Sequence, residues 1–163
     1  MARFKFTGKP VLPKNDSDRP LIGKVPIKNG KTALRCNFGI RCDSSTGYVE
    51  RFASPQDVMK VKTTDDTFID VKWNDRFDED IIKSVANYRK FTIDLGEEFG
   101  GRREFLSEYD AVEFLAEKLP EYDGLLTITG QVRKEWYKDR YYDKFIFDNI
   151  FAVSPDTKCK LEV

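Results

Sequence analysis

From Thr32 to Ile40 apolar and polar positions alternate. Leu34, Cys36, Phe38 and Ile40 fall on one side; Ala33, Arg35, Asn37, Gly39 and Arg41 fall on the other. Successive side chains of a strand point to opposite faces, so this pattern predicts a half-buried strand with a polar, basic outer face. Asp43-Ser44-Ser45-Thr46-Gly47 reads as a turn and Tyr48–Ala53 as the returning strand of a hairpin. Ser54-Pro55-Gln56-Asp57 has the form of a helix start, with Ser as cap, Pro at the first position and an acid at the third, although Val58–Lys62 also reads as extended. Thr63–Asp66 is a turn, and Phe68–Trp73 sets Ile69, Val71 and Trp73 against Asp70 and Lys72, a third strand with Trp73 read as core.

The period then changes. Ile81, Ile82, Val85 and Tyr88 give Asp78–Tyr88 one apolar face, behind acids that suit a helix N-terminus. Lys90–Leu95 alternates again, and Gly96–Arg103 is expected as a loop. Ser107-x-x-Asp110 is a capping box for a helix with Val112, Leu115, Ala116 and Leu119 as its stripe, stopped by Pro120. Leu125–Trp136 is a long strand with Leu126, Ile128, Val132 and Trp136 on one side and Thr127, Thr129, Gln131 and Arg133 on the other. After Lys138-Asp139-Arg140 the chain returns with Phe145, Phe147, Phe151 and Val153 alternating against Lys144, Asp148 and Ala152. The pair predicts a long hairpin with an aromatic, basic tip. Residues 1–31 contain Pro10, Pro13, Pro20 and Pro26, which exclude a helix, and are expected as a basic extended arm with short extended pieces at Phe4–Phe6 and Val25–Ile27. An exposed edge strand at residues 3–7 would pair two chains into a homodimer.

The 163 residues, 40% apolar, suit one domain with a single core. No run approaches the length of a membrane span, and Met1–Phe6 lacks the apolar stretch of a secretory signal. The expected location is the cytoplasm. Three cysteines, Cys36, Cys42 and Cys159, with no zinc spacing, read as buried or free thiols of a reducing compartment. The absence of histidine excludes Ser/His/Asp and Cys/His nucleophilic systems and most zinc sites, leaving carboxylate-held Mg²⁺ as the metal chemistry still open. The acidic run Asp65, Asp66, Asp70, Asp75, Asp78, Glu79 and Asp80 could serve a nuclease, but three of these acids are better explained by the helix start they occupy. Gly96-x-x-x-Gly100-Gly101 lacks the Lys-Ser/Thr of a phosphate-cradling loop. The expectation is therefore a binding protein without cofactor, not an enzyme. Net charge is zero, yet residues 1–42 hold ten Lys/Arg against two acids. Such an end is either a solvated arm or a local positive face for phosphates.

Three meandering strands, a helix and a closing hairpin follow the order of an OB-fold. The layout expected is a single mainly β domain over residues 1–163, an elaborated five-stranded OB barrel with two helices and a helical insertion at 78–120; a mixed α+β sandwich competes with it. Thr127-Ile128-Thr129-Gly130-Gln131-Val132, Tyr137-Lys138-Asp139-Arg140-Tyr141-Tyr142 and Phe145-Ile146-Phe147-Asp148-Asn149-Ile150 resemble the closing hairpin of OB-fold single-stranded DNA-binding proteins, especially small phage-encoded ones. The resemblance covers about 25 residues and extends weakly to the Thr32–Ala53 hairpin. It implies sequence-independent binding of single-stranded DNA in replication or recombination, replication proteins as partners, and the cytoplasm of a host cell for a phage product. Bacterial members commonly end in an acidic tail that recruits partners; Lys158-Cys159-Lys160-Leu161-Glu162-Val163 departs from that form.

Such binding needs cations along the phosphates and aromatic faces for the bases. Arg35, Asn37, Arg41 and Arg51 on the first hairpin, Gln131, Arg133 and Lys134 on the long strand, and Lys138 and Arg140 at the tip are the polar candidates; Trp136, Tyr137 and Tyr141 are the stacking candidates. Tyr141 and Tyr142 read equally as cross-strand packing, and Trp136 as core or rim. The residues do not separate DNA from RNA. A protein–protein module, a phage structural component or an inhibitor of a host enzyme, is the alternative, with the aromatic tip as its anchor.

Overall fold

The computed structural model describes residues 2–14 and 16–163. Among them the chain forms β1 (Arg3–Val11), β2 (Ile22–Pro26), β3 (Thr32–Cys42), β4 (Ser45–Ala53), β5 (Val58–Lys62), β6 (Phe68–Lys72), α1 (Glu79–Ser84), β7 (Phe91–Asp94), β8 (Arg102–Phe105), α2 (Glu108–Lys118), β9 (Leu125–Tyr137), β10 (Arg140–Val153) and β11 (Lys160–Glu162). Five strands close into a ring. β1 lies antiparallel to β3 and to β9, β3 to β4 and β9 to β10, and β4 meets β10 in parallel. That last joint is thin, with the single register pair Glu50–Ile146 against nine pairs between β3 and β4. The mainly β class and the barrel-like closure expected from the sequence are both present.

The ring closes because each strand turns its apolar parity inward. Leu34, Cys36, Phe38 and Ile40 of β3 meet Phe4 and Phe6 of β1, Val49 of β4, Leu126 and Ile128 of β9 and Phe147 and Ile150 of β10. α2, capped by Ser107 through the Tyr109 amide, adds Val112, Leu115 and Leu119 to the same core. Gly130 is needed where β9 crosses β1 and β10: a Cβ there would strike the Ile146 carbonyl and come within 2.7 Å of the Phe4 ring.

The remaining elements extend this ring. β2 pairs with β3, β11 with β1, and β7 with β10 in parallel, with β8 at the outside of β7. β5 and β6 form a separate hairpin over a second small core of Met59, Val61, Val71, Val85 and Leu106, with Trp73 half-buried at its margin. Arg76 ties this unit to α2. Its Nε donates to Asp110 Oδ2 at 2.6 Å, its Nη2 to Oδ1 at 3.3 Å and its Nη1 to the Trp73 carbonyl at 2.7 Å, with the guanidinium 4.0 Å from the Trp73 ring centre.

Several expectations are corrected. The N-terminal segment is not an arm from its start. β1 is a ring strand, paired with β9 along Arg3–Gly8, with β11 at Lys5–Thr7 and with β3 at Lys9–Val11, so residues 5–7 are covered on both sides. No helix follows Ser54: Met59 and Val61 alternate with Val58, Lys60 and Lys62, and the segment pairs with β6. α1 stops at Ser84 because Val85 leaves helical geometry to bridge Thr63. The loop expected at 96–103 holds a tight turn through Gly100 and Gly101, both at positive φ, and then β8. A bulge between Phe147 and Asn149 shifts the parity of β10, so Ile150 faces the core and Phe151 does not. Cys42 and Cys159 are joined in a disulfide, Cα–Cα 5.4 Å, because the β1–β11 and β1–β3 pairings bring the end of β3 beside the start of β11; Cys36 is free and buried. The cysteine ground for a reducing compartment therefore falls away. Among the described residues no helix is long and apolar enough to cross a membrane.

Candidate nucleic-acid interface

Register decides which side chains of the first hairpin share a face. Opposite residues of an antiparallel pair lie on the same side of the sheet. Arg35 opposes Phe52, Asn37 opposes Glu50, Gly39 opposes Tyr48 and Arg41 opposes Thr46, all on the outer face. Tyr48 is 71% exposed and lies across Gly39, where an added Cβ would stand 3.4 Å from its ring. The missing side chain at Gly39 thus gives the Tyr48 ring a seat on the sheet, with its other side open. Phe52 is also exposed on this face. Arg35 is exposed, Arg41 donates from Nε to the Asp43 carbonyl at 3.3 Å, and Asn37 Nδ2 donates to the Pro20 carbonyl at 3.5 Å.

β9 and β10 run beyond the ring as a two-stranded ribbon. Lys138 and Asp139, at φ 48° and 68°, make the two-residue turn that suits the twist of such a ribbon. Trp136 and Tyr141 oppose each other edge to face, 4.8 Å between ring centres, on the side that also carries Val132 and Phe145. Gln131, Arg133, Tyr137, Arg140 and Tyr142 occupy the other side, where Tyr137 and Tyr142 stand 6.4 Å apart and Lys138 Nζ lies 5.3 Å from the Tyr137 ring. All four tip aromatics are exposed, so the core reading of Trp136 is excluded.

Between this ribbon and β4 lies a groove of about 720 Å³ in which Tyr48, Tyr137, Tyr142 and Phe145 converge with Arg19 and Lys144. A second cleft of about 230 Å³ continues it between the 11–20 segment and β3, sharing Arg19, Tyr48 and Glu50. Lys144 sits between Glu135 at 2.8 Å and Glu50 at 3.3 Å. The hydrogen bond to Glu135, with the charge of Glu50 behind it, holds its ammonium above the usual lysine value, so Lys144 stays protonated through neutral pH. No family model, curated protein or solved structure matches the chain.

Of the candidates read from the sequence, Arg35, Asn37 and Arg41 share the outer sheet face, and Gln131, Arg133, Tyr137 and Arg140 share one side of the ribbon. Lys134 and Trp136 with Tyr141 lie on its opposite side. Arg51 does not join them. It opposes Cys36 on the inner parity of β4, where Nη2 meets Glu108 at 2.9 Å, Nη1 donates to the Phe147 carbonyl at 2.8 Å and the guanidinium lies 4.6 Å from the Phe91 ring centre. Tyr48 and Phe52 are the residues the sequence reading passed over. Their signal was the parity of β4, on which Tyr48, Glu50 and Phe52 oppose Val49, Arg51 and Ala53. Of the acidic run, Asp78 caps α1 through the Asp80 and Ile81 amides, and Asp66 pairs with Lys62.

Proposed function

We propose that this chain binds single-stranded nucleic acid, most readily DNA without sequence preference, across the outer face of β3 and β4 and along the β9–β10 ribbon. The observation that carries the reading is the convergence of the exposed Tyr48 face with the aromatic ribbon on one groove. Strand order supports it. The ring strands follow one another as β1-β3-β4-β10-β9, with α2 between the third and fourth along the chain, an order that supports the OB reading. In OB-folds the second and third strands and the loops joining first to second and fourth to fifth hold oligonucleotides. Here those elements are β3, β4, the 12–31 segment and the Lys138-Asp139 turn. Exposed aromatic faces take bases of any identity, while Arg19, Arg35, Arg133 and Arg140 would answer the phosphates.

One observation favours a second reading. The groove holds Glu50, Glu135 and Asp143 beside its cations, and Lys144 is already paired. A mixed-charge groove with aromatic anchors also suits a protein partner. Titration into fluorescent oligo-dT, with a duplex of equal length, at two salt concentrations separates the two. Tight binding to the single strand that weakens steeply with salt supports the strand reading. Absence of binding at low salt refutes it and favours the protein partner.

A further inference from the structure

A different cleft, of about 290 Å³, opens between the β5–β6 unit and the ring. Four cations line it: Arg51, Lys60, Arg89 and Lys90. Arg51 is matched by Glu108 at 2.9 Å, and Lys90, its side chain only 7% exposed, by Glu104 at 3.2 Å; Asp148 on the far wall is taken by Arg3 at 3.1 Å. Lys60 and Arg89 are exposed and, among the described residues, have no carboxylate within salt-bridge distance. The paired charges cancel, so the cleft carries two uncompensated positive charges.

The floor is also short of acceptors. Arg51 Nε is fully buried and, among the described residues, is the one such side-chain nitrogen or oxygen without a hydrogen-bond partner. That donor has no accessible surface, so it adds to the positive field of the floor and is not itself a contact for a ligand. Lys90 holds three donors against its one carboxylate. Ser107, buried at the N-terminus of the eleven-residue α2, accepts the Tyr109 amide with its oxygen, which leaves its O–H proton to donate. At the rim Tyr88 is 68% exposed, beside the Arg89 guanidinium.

We propose that this cleft binds a phosphomonoester, carried either by a free mononucleotide or by the 5′ end of a strand. Two unpaired cations match the charge of a phosphomonoester, which approaches −2 near neutral pH, better than the single charge of a diester inside a strand. The volume admits a phosphate with its sugar, and Tyr88 offers a face to the base. The free-nucleotide case stands without the strand-binding reading; the strand-end case rests on it.

The test uses the full chain and the double variant Lys60→Gln/Arg89→Gln, whose replaced side chains are exposed and outside the strand groove. Calorimetry and amide NMR would follow titration with dTMP, with inorganic phosphate, and with 5′-phosphoryl and 5′-hydroxyl oligo-dT. The expected result is dTMP binding with shifts at Lys90 and Ser107, weakened about tenfold or more in the double variant at unchanged thermal midpoint. If the strand end is the source, the 5′-phosphoryl oligonucleotide gains over the 5′-hydroxyl one and the variant erases that gain. If dTMP alone binds, the free nucleotide is the source. Should the 5′-hydroxyl oligonucleotide fail to bind, the strand reading falls while the dTMP result still decides this one. The proposal is overturned if neither dTMP, phosphate nor the phosphorylated end shifts those amides, or if the double variant binds them as tightly as the parent.

Discussion

Replacing Tyr48 with alanine removes one stacking face and almost nothing else. The side chain is 71% exposed, so less than a third of it is buried in the free protein. Full burial of a large apolar side chain is worth roughly 1.5–3 kcal/mol, which puts the cost of the change to folding below about 1 kcal/mol. For a domain of this size that is a fall in Tm of about 2–4 °C at most. Affinity for oligo-dT should respond far more. One base–aromatic stack is worth roughly 1–3 kcal/mol, a loss of about 5- to 150-fold in Kd. Two controls sharpen the reading. Tyr48→Phe keeps the ring on its Gly39 seat and should bind like the parent. The slope of log K against log salt should be the same in all three proteins, because no phosphate contact is removed. Fluorescence titration at several salt concentrations, with thermal melts alongside, gives every quantity needed. An alanine variant that folds normally and binds oligo-dT with the parent's affinity would refute the claim that Tyr48 is a stacking platform.

Three further outcomes follow from the fold. Arg76→Ala leaves Asp110, 8% exposed, without its partner and should cost about 3–5 kcal/mol in urea unfolding, whereas Arg76→Met/Asp110→Leu together should recover most of that loss; equal stabilities for parent and Arg76→Ala would contradict the pairing. Gly130→Ala drives a methyl group against the Ile146 carbonyl and the Phe4 ring and should cost at least about 1–3 kcal/mol by the same measurement, so a neutral result would mean that the β9 crossing is looser than described. Burial pushes the Cys36 thiol from 9.0 up to about 12, so the native state holds its proton longer than the unfolded chain does. The resulting stability is complete below pH 9 and is lost as pH rises toward 12; Cys36→Ala should lose less stability across that window than the parent, and equal losses would remove the thiol as the cause.

Much of the ring was legible because β3, β9 and the first half of β10 each announce one face by alternation, β4 follows β3 across a turn cluster, and Ser107 marks the start of α2. What escaped notice depends on partners remote in sequence. Phe4 and Phe6 alternate with Arg3 and Lys5, but Pro10 and the surrounding charge read as an arm until β9 supplies pairing partners for Arg3 through Gly8. The helix signal at Ser54-Pro55 was overridden because the hairpin with β6 buries Met59 and Val61. The bulge at Phe147/Asn149 reversed the expected sides of Ile150 and Phe151, and nothing local in Asp148 marks it. At the candidate interface the aromatic, basic tip was legible as a hairpin tip, but Trp136, on the inward parity of its strand, stands exposed because the ribbon runs beyond the ring. Arg51 was misplaced by its charge, although its position on β4 follows the buried parity of Val49 and Ala53.

The ring joins its first strand to its fourth across more than a hundred residues of intervening chain. On the ribosome, β1, β3 and β4 are made early, and Phe4, Phe6, Phe38 and Ile40 must wait uncovered until residues 125–153 exist. Contacts so distant in sequence form slowly, and apolar strands left open meanwhile are prone to pair with other chains. Synthesis order, more than the stability of the finished ring, therefore sets the interval in which nascent chains are most exposed to aggregation. A truncation before β9 should yield insoluble protein rather than a smaller folded domain.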